Sequence, residues 1–374
     1  MNFTLSEEQE MLKQMAGDFL TEKCPKTLVK ELEQSEQGYS PELWREMADL
    51  GWMGLALPEE YGGGGMAFLD LAVLLEEMGR ACLPGPFFST VILGGLTILD
   101  FGNNEQKQEY LPPLIRGEKL FTLALTEPGR DGSHVDSINV TATPDDGGYV
   151  IEGSKLFVPD AHIADYLLCV ARTPDGVGLF VVDARDPGIT RTVLQTMAND
   201  KLCEVVLNRV RVPAANRLGQ PGFTWDSVER LLERAAVARS CEIVGNLERV
   251  LEMTIDYAKD RKQFGRPIGS FQIMQHYCAD MAIDVDSIRF GCYQAAWMLS
   301  EGLPCSREAA TAKAWTGEAS QRVISLAHQV HGAIGVTMDH ELHYYTRRAK
   351  AAELSFGNAD FYREVVAKEM GLVS

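Results

Sequence analysis

The chain has 374 residues, of which 45% are hydrophobic and 24% are charged. This length is too great for one ordinary hydrophobic core, and the composition is typical of a globular protein of two or three domains. The net charge of −18 argues against nucleic acid as a partner, because phosphate binding needs a basic face. The most apolar run, Thr90 to Phe101, is too short for a membrane span and contains Gly94 and Gly95. We therefore expect no membrane span.

The N-terminus leads directly into a helix. Ser6 and Gln9 have the spacing of a capping box, and no basic or apolar leader precedes them. The eight cysteines are scattered without a Cys-x-x-Cys pair. This pattern favours reduced thiols and predicts no metal site, and with no targeting signal visible we expect a cytoplasmic protein.

From Ser6 to about Gly117 the apolar residues follow a helical spacing. Helix stops fall at Pro25, at the glycine run 62–65 and at 84–86. The glycine run lacks the Lys-Ser/Thr and the preceding strand of a phosphate-binding loop, so we interpret it as an ordinary loop.

From Leu120 to about Val212 the apolar period changes to two, which predicts a small, mostly antiparallel β domain. The predicted strands are Leu120–Leu125, Ser137–Ala142, Tyr149–Glu152, Tyr166–Ala171, Gly178–Val182 and Glu204–Val212.

Long helical patterns return from Thr224 and predict a helical bundle. The predicted helices are Thr224–Lys259, Phe271–Glu301, Ser306–His331, Glu341 to about Leu354, and a last one after Gly357. We thus expect an α+β protein with an N-terminal helical domain (1–117), a central β domain (118–220) and a C-terminal bundle (221–374).

The segment from Tyr257 to Gln272 separates the first two long helices with Gly265, Pro267 and Gly269, which interrupt helices. It also carries a polar set that a simple helix corner does not need, namely Arg261, Gln263 and Gln272.

This segment resembles the Arg-x-x-Phe-Gly…Phe-Gln signature of the acyl-CoA dehydrogenase superfamily. Three further motifs follow the family's order, at Leu57–Gly63, Leu125–Ser133 and Gln329–Gly335. The resemblance covers essentially the whole chain. It implies an FAD-dependent oxidoreductase with a barrel-like central domain and a C-terminal four-helix bundle. The implied reaction is α,β-desaturation of an acyl-CoA, with electrons passed to an electron-transfer flavoprotein.

The resemblance also implies where FAD binds. Along the isoalloxazine edge and the pantetheine, backbone N–H and hydroxyl groups would donate without adding charge. The implied residues there are Leu125, Thr126, Gly132 and Ser133, the last also touching substrate. At a neighbouring subunit's helix corner Arg261 would meet the pyrophosphate as a guanidinium fork. The other implied FAD contacts are Phe264, Phe271, Gln272, Gln329, Gly332, Gly335 and Asn358. Since such a site needs two chains, the implied assembly is a homo-oligomer (dimer or tetramer), or a heteromer with a paralogous subunit.

One departure from the family pattern lies beside the flavin. Where relatives carry a Trp and a hydroxyl residue, this chain has Phe157 and Pro159. Phe157 keeps a ring against the flavin, whereas Pro159 offers neither a hydroxyl nor a backbone N–H. We expect an altered flavin environment.

A second departure concerns the catalytic base. The family's usual glutamate position holds Phe356, and the alternative position on the long helix holds Ala235. Three sources of a base stay open: Glu353, one helical turn before Phe356; His134, next to Ser133; and a carboxylate from a paralogous subunit.

A third departure is the family's CoA-contacting arginine, which is replaced by Ala236. Glu233, Arg234 and Arg239 are the neighbouring candidates for substrate binding. The unusual base position, by analogy with the family that the chain resembles, favours a cyclic, branched or otherwise bulky acyl-CoA. The departures leave open a catalytically silent subunit of a heteromer, and a CoA-thioester flavoenzyme with different chemistry.

Overall fold

The computed structural model describes residues 4–129, 135–219 and 222–372. Within these ranges the chain combines α-helices with one large sheet and a two-stranded hairpin, which confirms the predicted α+β class. The helices are α1 Glu7–Lys23, α2 Lys26–Gln34, α3 Pro41–Asp49, α4 Phe68–Ala81, α5 Leu96–Phe101, α6 Asn104–Ile115, α7 Trp225–Asp260, α8 Gln272–Ser300, α9 Ser306–His331, α10 Leu342–Leu354 and α11 Ala359–Glu369.

The strands match the region in which the apolar period is two. They are β1 Phe121–Ala124, β2 Thr141–Asp145, β3 Gly148–Pro159, β4 Tyr166–Thr173, β5 Gly176–Asp183, β6 Ile189–Val193, β7 Leu202–Pro213 and β8 Arg217–Leu218, with β9 Lys262–Gln263 and β10 Arg266–Pro267 as a separate hairpin.

The chain forms two compact units, within each of which the residues contact one another more than they contact the rest of the chain. The bundle unit consists of residues 1–29, 67–83 and 233–374, and the sheet unit of residues 30–66 and 84–232. The division at residues 117 and 220 that the sequence suggests stays a prediction.

In the sheet unit the strand order is β6-β7-β3-β2-β4-β5-β8, with β1 beside β4. Pairing is antiparallel except for β1 with β4 and one residue pair of β2 with β4. Alternate residues of β7, such as Cys203, Val205 and Leu207, are buried in one core with residues of β3 and β4. The period of two thus predicts the buried face.

In the bundle unit α4 and α7 cross at very short range. A Cβ atom on Gly79 would lie 1.7 Å from the carbonyl oxygen of Glu242. A Cβ atom on Gly245 would lie 1.8 Å from the carbonyl oxygen of Glu76. These glycines let two backbones touch, which no other residue would permit.

Two features of the sheet differ from the sequence expectation. The strand expected over Ser137–Ala142 begins only at Thr141, because the N–H groups of Asn139 and Val140 donate to the Glu127 carboxylate. Strand β6 is absent from the predicted strands. The capping box at Ser6 and Gln9 is confirmed by both of its hydrogen bonds. Among the described residues, no helix combines the length and apolar character that a membrane span requires.

Candidate functional site

The predicted helix corner of the bundle unit is a short hairpin. Between β9 and β10, Phe264 (φ 52°) and Gly265 (φ 80°) both have left-handed backbone conformations, as a tight type I′ turn requires. Such a conformation is unfavourable for phenylalanine, and its side chain is 92% exposed. The hairpin therefore holds an aromatic ring away from the core of its own unit.

The polar side chains of this corner are free to bind a ligand. Arg261, Gln272 and Gln329 are exposed, and none of the three side chains makes a hydrogen bond or ion pair within the described residues. The Arg261 carbonyl accepts from the Ile268 N–H at 2.8 Å, which fixes the base of the hairpin. Nearby, the Arg266 guanidinium lies 4.2 Å from the centre of the Phe271 ring.

The turn that ends α9 packs beside this corner. Val330 shares a buried cluster with Ala258 and Ile268, against which Phe271 packs. Gly332 has φ 61° and ψ −141°, a conformation used almost only by glycine. A Cβ on it would meet no atom within 4 Å, so its backbone faces open space.

Gly335 is buried in the same turn, and a Cβ there would lie 2.8 Å from the Cβ of His331. The His331 ring stacks on Tyr257 at 4.6 Å, and burial lowers its pKa. His331 Nδ1 bonds the Ala327 carbonyl at 2.8 Å, whereas its buried Nε2 has no hydrogen-bond partner among the described residues. The structure thus gathers the predicted residues of the corner and of the turn.

This donor set fits the pyrophosphate of FAD. It combines one guanidinium and two amides with an exposed glycine at position 332, where no side chain hinders the approach of a phosphate, whereas the chain as a whole carries a charge of −18.

The predicted flavin-edge residues lie in the sheet unit. The Leu125 carbonyl accepts from Lys155 Nζ at 3.0 Å, and the Thr126 carbonyl accepts from the Leu156 N–H at 2.8 Å. Phe157 is 54% exposed and has φ 55°, at a break in the register of β3 with β7.

Pro159 ends β3, and its carbonyl accepts from the Thr122 hydroxyl at 2.5 Å. Three predicted residues, Gly132, Ser133 and His134, lie outside the described residues.

The usual base position holds no titratable group. Phe356 (φ 58°) and Gly357 (φ 102°) form the turn between α10 and α11, and the Phe356 carbonyl accepts from the Tyr362 hydroxyl at 2.7 Å. Asn358 is the N-cap of α11, because its Oδ1 accepts from the Phe361 N–H at 2.9 Å. The Asn358 side chain is thus engaged in its own helix.

Glu353 lies on the last turn of α10 and is already extensively bonded. Its Oε1 accepts from Gln321 Nε2 at 2.8 Å, and both oxygens accept from Lys350 Nζ at 3.0 Å. The side chain is 10% exposed. A carboxylate offers about four acceptor positions, so little capacity is left for a substrate proton.

The candidates on α7 have structural partners. Glu233 accepts from the Ser306 hydroxyl at 2.7 Å and from Cys305 Sγ at 3.0 Å, so its charge lies at the N-terminus of α9. Arg239 is paired with Glu242, and Arg234 is half-buried. The role of these three side chains in substrate binding stays a prediction.

Sequence reasoning missed Lys313, a buried lysine on α9. Its Nζ donates to the carbonyls of Ala352 at 2.9 Å and Glu353 at 3.1 Å, which lie at the end of α10. Burial, with a smaller contribution from nearby Arg239, lowers its pKa to about 7, and Glu353 opposes the effect. Its place on the alanine-rich buried face of α9 could have revealed it.

The chain matches three family models in order. They are the N-terminal domain (residues 6–118), the middle domain (122–210) and the C-terminal domain (222–371) of acyl-CoA dehydrogenase. It is 34% identical to the probable acyl-CoA dehydrogenase YngJ of Bacillus subtilis, over 99% of this chain and 100% of that protein.

Two solved structures are similar throughout. One is a chain of the ChsE4-ChsE5 complex from Mycobacterium tuberculosis, with a TM-score of 0.91, 32% identity and full coverage of both chains. The other is a chain of a variant of the Tcur3481-Tcur3483 steroid ACAD, with a TM-score of 0.90, 33% identity and 99% coverage of both chains.

The chain therefore belongs to the acyl-CoA dehydrogenase family. The members of this family are FAD-dependent oxidoreductases that act on the CH–CH group of acyl-CoA thioesters, and FAD is the cofactor of this protein.

Proposed function

We propose that this protein desaturates the α,β-bond of a cyclic, branched or otherwise bulky acyl-CoA and passes the electrons to an electron-transfer flavoprotein. The observation that carries the proposal is the exposed set of side-chain donors at Arg261, Gln272 and Gln329, which make no hydrogen bond within the described residues and lie beside the open turn at Gly332. It fits a dinucleotide pyrophosphate, and the family match supplies the reaction class. The similarity to a steroid ACAD supports a ring-bearing acyl group.

Bound FAD would accept a hydride from the β-carbon of the thioester. On the sheet side, we expect Leu125 and Thr126 to border the flavin edge, with Ser133 contributing a donor. Phe157 would cover one face of the ring, and Pro159 would leave N5 without the usual hydroxyl neighbour.

We also propose that two or more chains associate, because the FAD corner is expected to serve a neighbouring subunit. Several large apolar side chains are exposed on the bundle unit, and an interface that covers them would remove their surface from water. They include Phe264 (92%), Val336 (70%), Met338 (66%) and Ile283 (63%). A cytoplasmic location is the expectation from the sequence alone.

The α-proton must go to a base. Within this chain, Glu353 and His134 are the candidates that the sequence offers, and Glu233, Arg234 and Arg239 are the candidates for binding the thioester. Because the Glu353 carboxylate already accepts three hydrogen bonds from Gln321 and Lys350, we rank it behind a base supplied from elsewhere.

Anaerobic titration of the FAD-loaded protein with a panel of cyclic, branched and straight-chain acyl-CoAs tests the proposal. We expect bulky thioesters to bleach the flavin absorption faster than straight chains do. Glu353→Gln and His134→Ala would be compared with Glu364→Gln, an exposed control on α11. If no saturated thioester bleaches the flavin, desaturation by this chain alone is refuted.

A second candidate is a half-site subunit of a heteromer, in which a paralogous chain supplies the carboxylate. It is favoured by Phe356 at the base position and by the hydrogen bonds that occupy Glu353. The similarity to a chain of the ChsE4-ChsE5 complex supports it. This candidate predicts no bleaching by the isolated chain and full bleaching after co-purification with a homologous subunit.

A further inference from the structure

The sheet unit contains a buried ion pair that the function described so far does not use. Lys155 Nζ lies 2.7 Å from Glu127 Oε1, and the two side chains are 0% and 4% exposed. Removing two charges from water costs several kcal/mol per ion, and apolar replacements are often as stable. Stability alone is therefore a weak reason for this pair.

The pair connects three separate segments of the chain. Glu127 accepts from the N–H groups of Asn139 at 2.7 Å and Val140 at 3.0 Å. Lys155 also donates to the Leu125 carbonyl at 3.0 Å. Each polar group of the pair is thus used to hold backbone.

Next to Lys155 the sheet itself provides little support. The register of β3 with β7 is interrupted between Lys155 and Val158. Across this gap the Leu156 N–H donates to the Thr126 carbonyl at 2.8 Å. Phe157 follows with a left-handed backbone, a conformation that persists only when its surroundings fix it.

We propose that Glu127 and Lys155 are positioning residues that fix the Leu125–Thr126 segment and Phe157 at a set spacing, so that both meet the isoalloxazine ring. This inference rests on the proposed flavin site. The pair lies under the segments that would border the ring, and neither charged side chain is expected to touch the flavin itself.

The test uses the full-length, FAD-loaded protein and three variants: Glu127→Gln, Lys155→Met and the double variant. Each single variant leaves one buried charge without its partner and should unfold more easily. The double variant removes both charges and should recover much of that loss. Lys119→Met is the matched control, because Lys119 pairs with Asp165 in the same unit while being 30% exposed.

Thermal unfolding, FAD affinity and the shape of the flavin absorption bands are measured for each variant. The double variant should regain thermal stability yet bind FAD about tenfold or more weakly, with altered flavin bands. The control should match the wild type in affinity and spectrum. A double variant that recovers both stability and wild-type FAD affinity and spectrum would show that the pair is only structural.

The two proposals fail in different ways. A wild-type protein that takes up no FAD overturns the flavin site and this inference together. A wild type that binds FAD, beside a double variant with an unchanged flavin, overturns the positioning role alone.

Discussion

Lys313 gives the sharpest quantitative prediction, because its ammonium group is buried where α9 meets the end of α10. The pKa falls from 10.5 to about 7, chiefly through burial. The unfolded chain thus keeps this proton up to about pH 10.5, whereas the folded chain releases it above about pH 7. The contribution of Lys313 to the free energy of unfolding is therefore lowest below pH 7 and rises with pH until about 10.5.

At about 1.4 kcal/mol for each pKa unit, this titration raises the unfolding free energy by about 2 kcal/mol between pH 7 and pH 9. Lys313→Met removes the titration. The variant should therefore lack this rise, although it also loses the hydrogen bonds to Ala352 and Glu353 at every pH. The pH dependence, rather than the absolute stability, is the informative quantity.

Urea unfolding followed by circular dichroism measures the free energy of unfolding of wild type and variant at pH 7, 8 and 9, with saturating FAD. Lys259→Met serves as the control, because Lys259 is 70% exposed. We expect the control to keep the wild-type slope. Parallel curves for wild type and Lys313→Met would refute a depressed pKa at this site.

The helix corner, the crossing of α4 with α7 and the turn at Phe356 can each be tested by a single substitution. Arg261→Ala should release FAD on gel filtration, whereas the exposed control Arg307→Ala should retain it; equal retention rejects the pyrophosphate assignment. Gly79→Ala should lower the unfolding free energy by about 3 kcal/mol, because its Cβ would collide with the Glu242 carbonyl oxygen 1.7 Å away. An unchanged melting temperature would contradict the close crossing of α4 and α7. Phe356→Glu should increase the rate of flavin bleaching by acyl-CoA if the site of this chain is otherwise complete. The rate is measured by stopped-flow absorbance, and a rate that does not increase points to a base from another chain.

The long helices are the most predictable part of the fold. The predicted helix Ser306–His331 has the observed bounds of α9, since its apolar face repeats at helical spacing and Gly332 ends it. The Ser6 capping box is equally local. In both cases the deciding interactions lie within a few residues along the chain.

Features that depend on distant partners escape the sequence pattern. Residues 137–140 have strand-like composition, yet the N–H groups of Asn139 and Val140 donate to Glu127, which lies 12 and 13 residues earlier in the chain. Strand β6 gains its hydrogen bonds from β7 rather than from its own weak pattern. The strand propensity of a segment does not include such tertiary hydrogen bonds.

The candidate site likewise contains residues that the sequence reveals and residues that it does not. Arg261, Phe264 and Gly332 are predicted from motifs, and the structure has a left-handed turn at Phe264 and an open glycine at position 332. Lys313 carries no motif, since only its depth of burial distinguishes it from a surface lysine.

We expect this chain to hold FAD at the donor set around Arg261. It can be tested by the visible absorption spectrum of the purified protein after incubation with FAD and gel filtration. Flavin bands should co-elute with the wild-type protein and be absent from Arg261→Ala. A wild-type protein that elutes colourless would contradict this expectation.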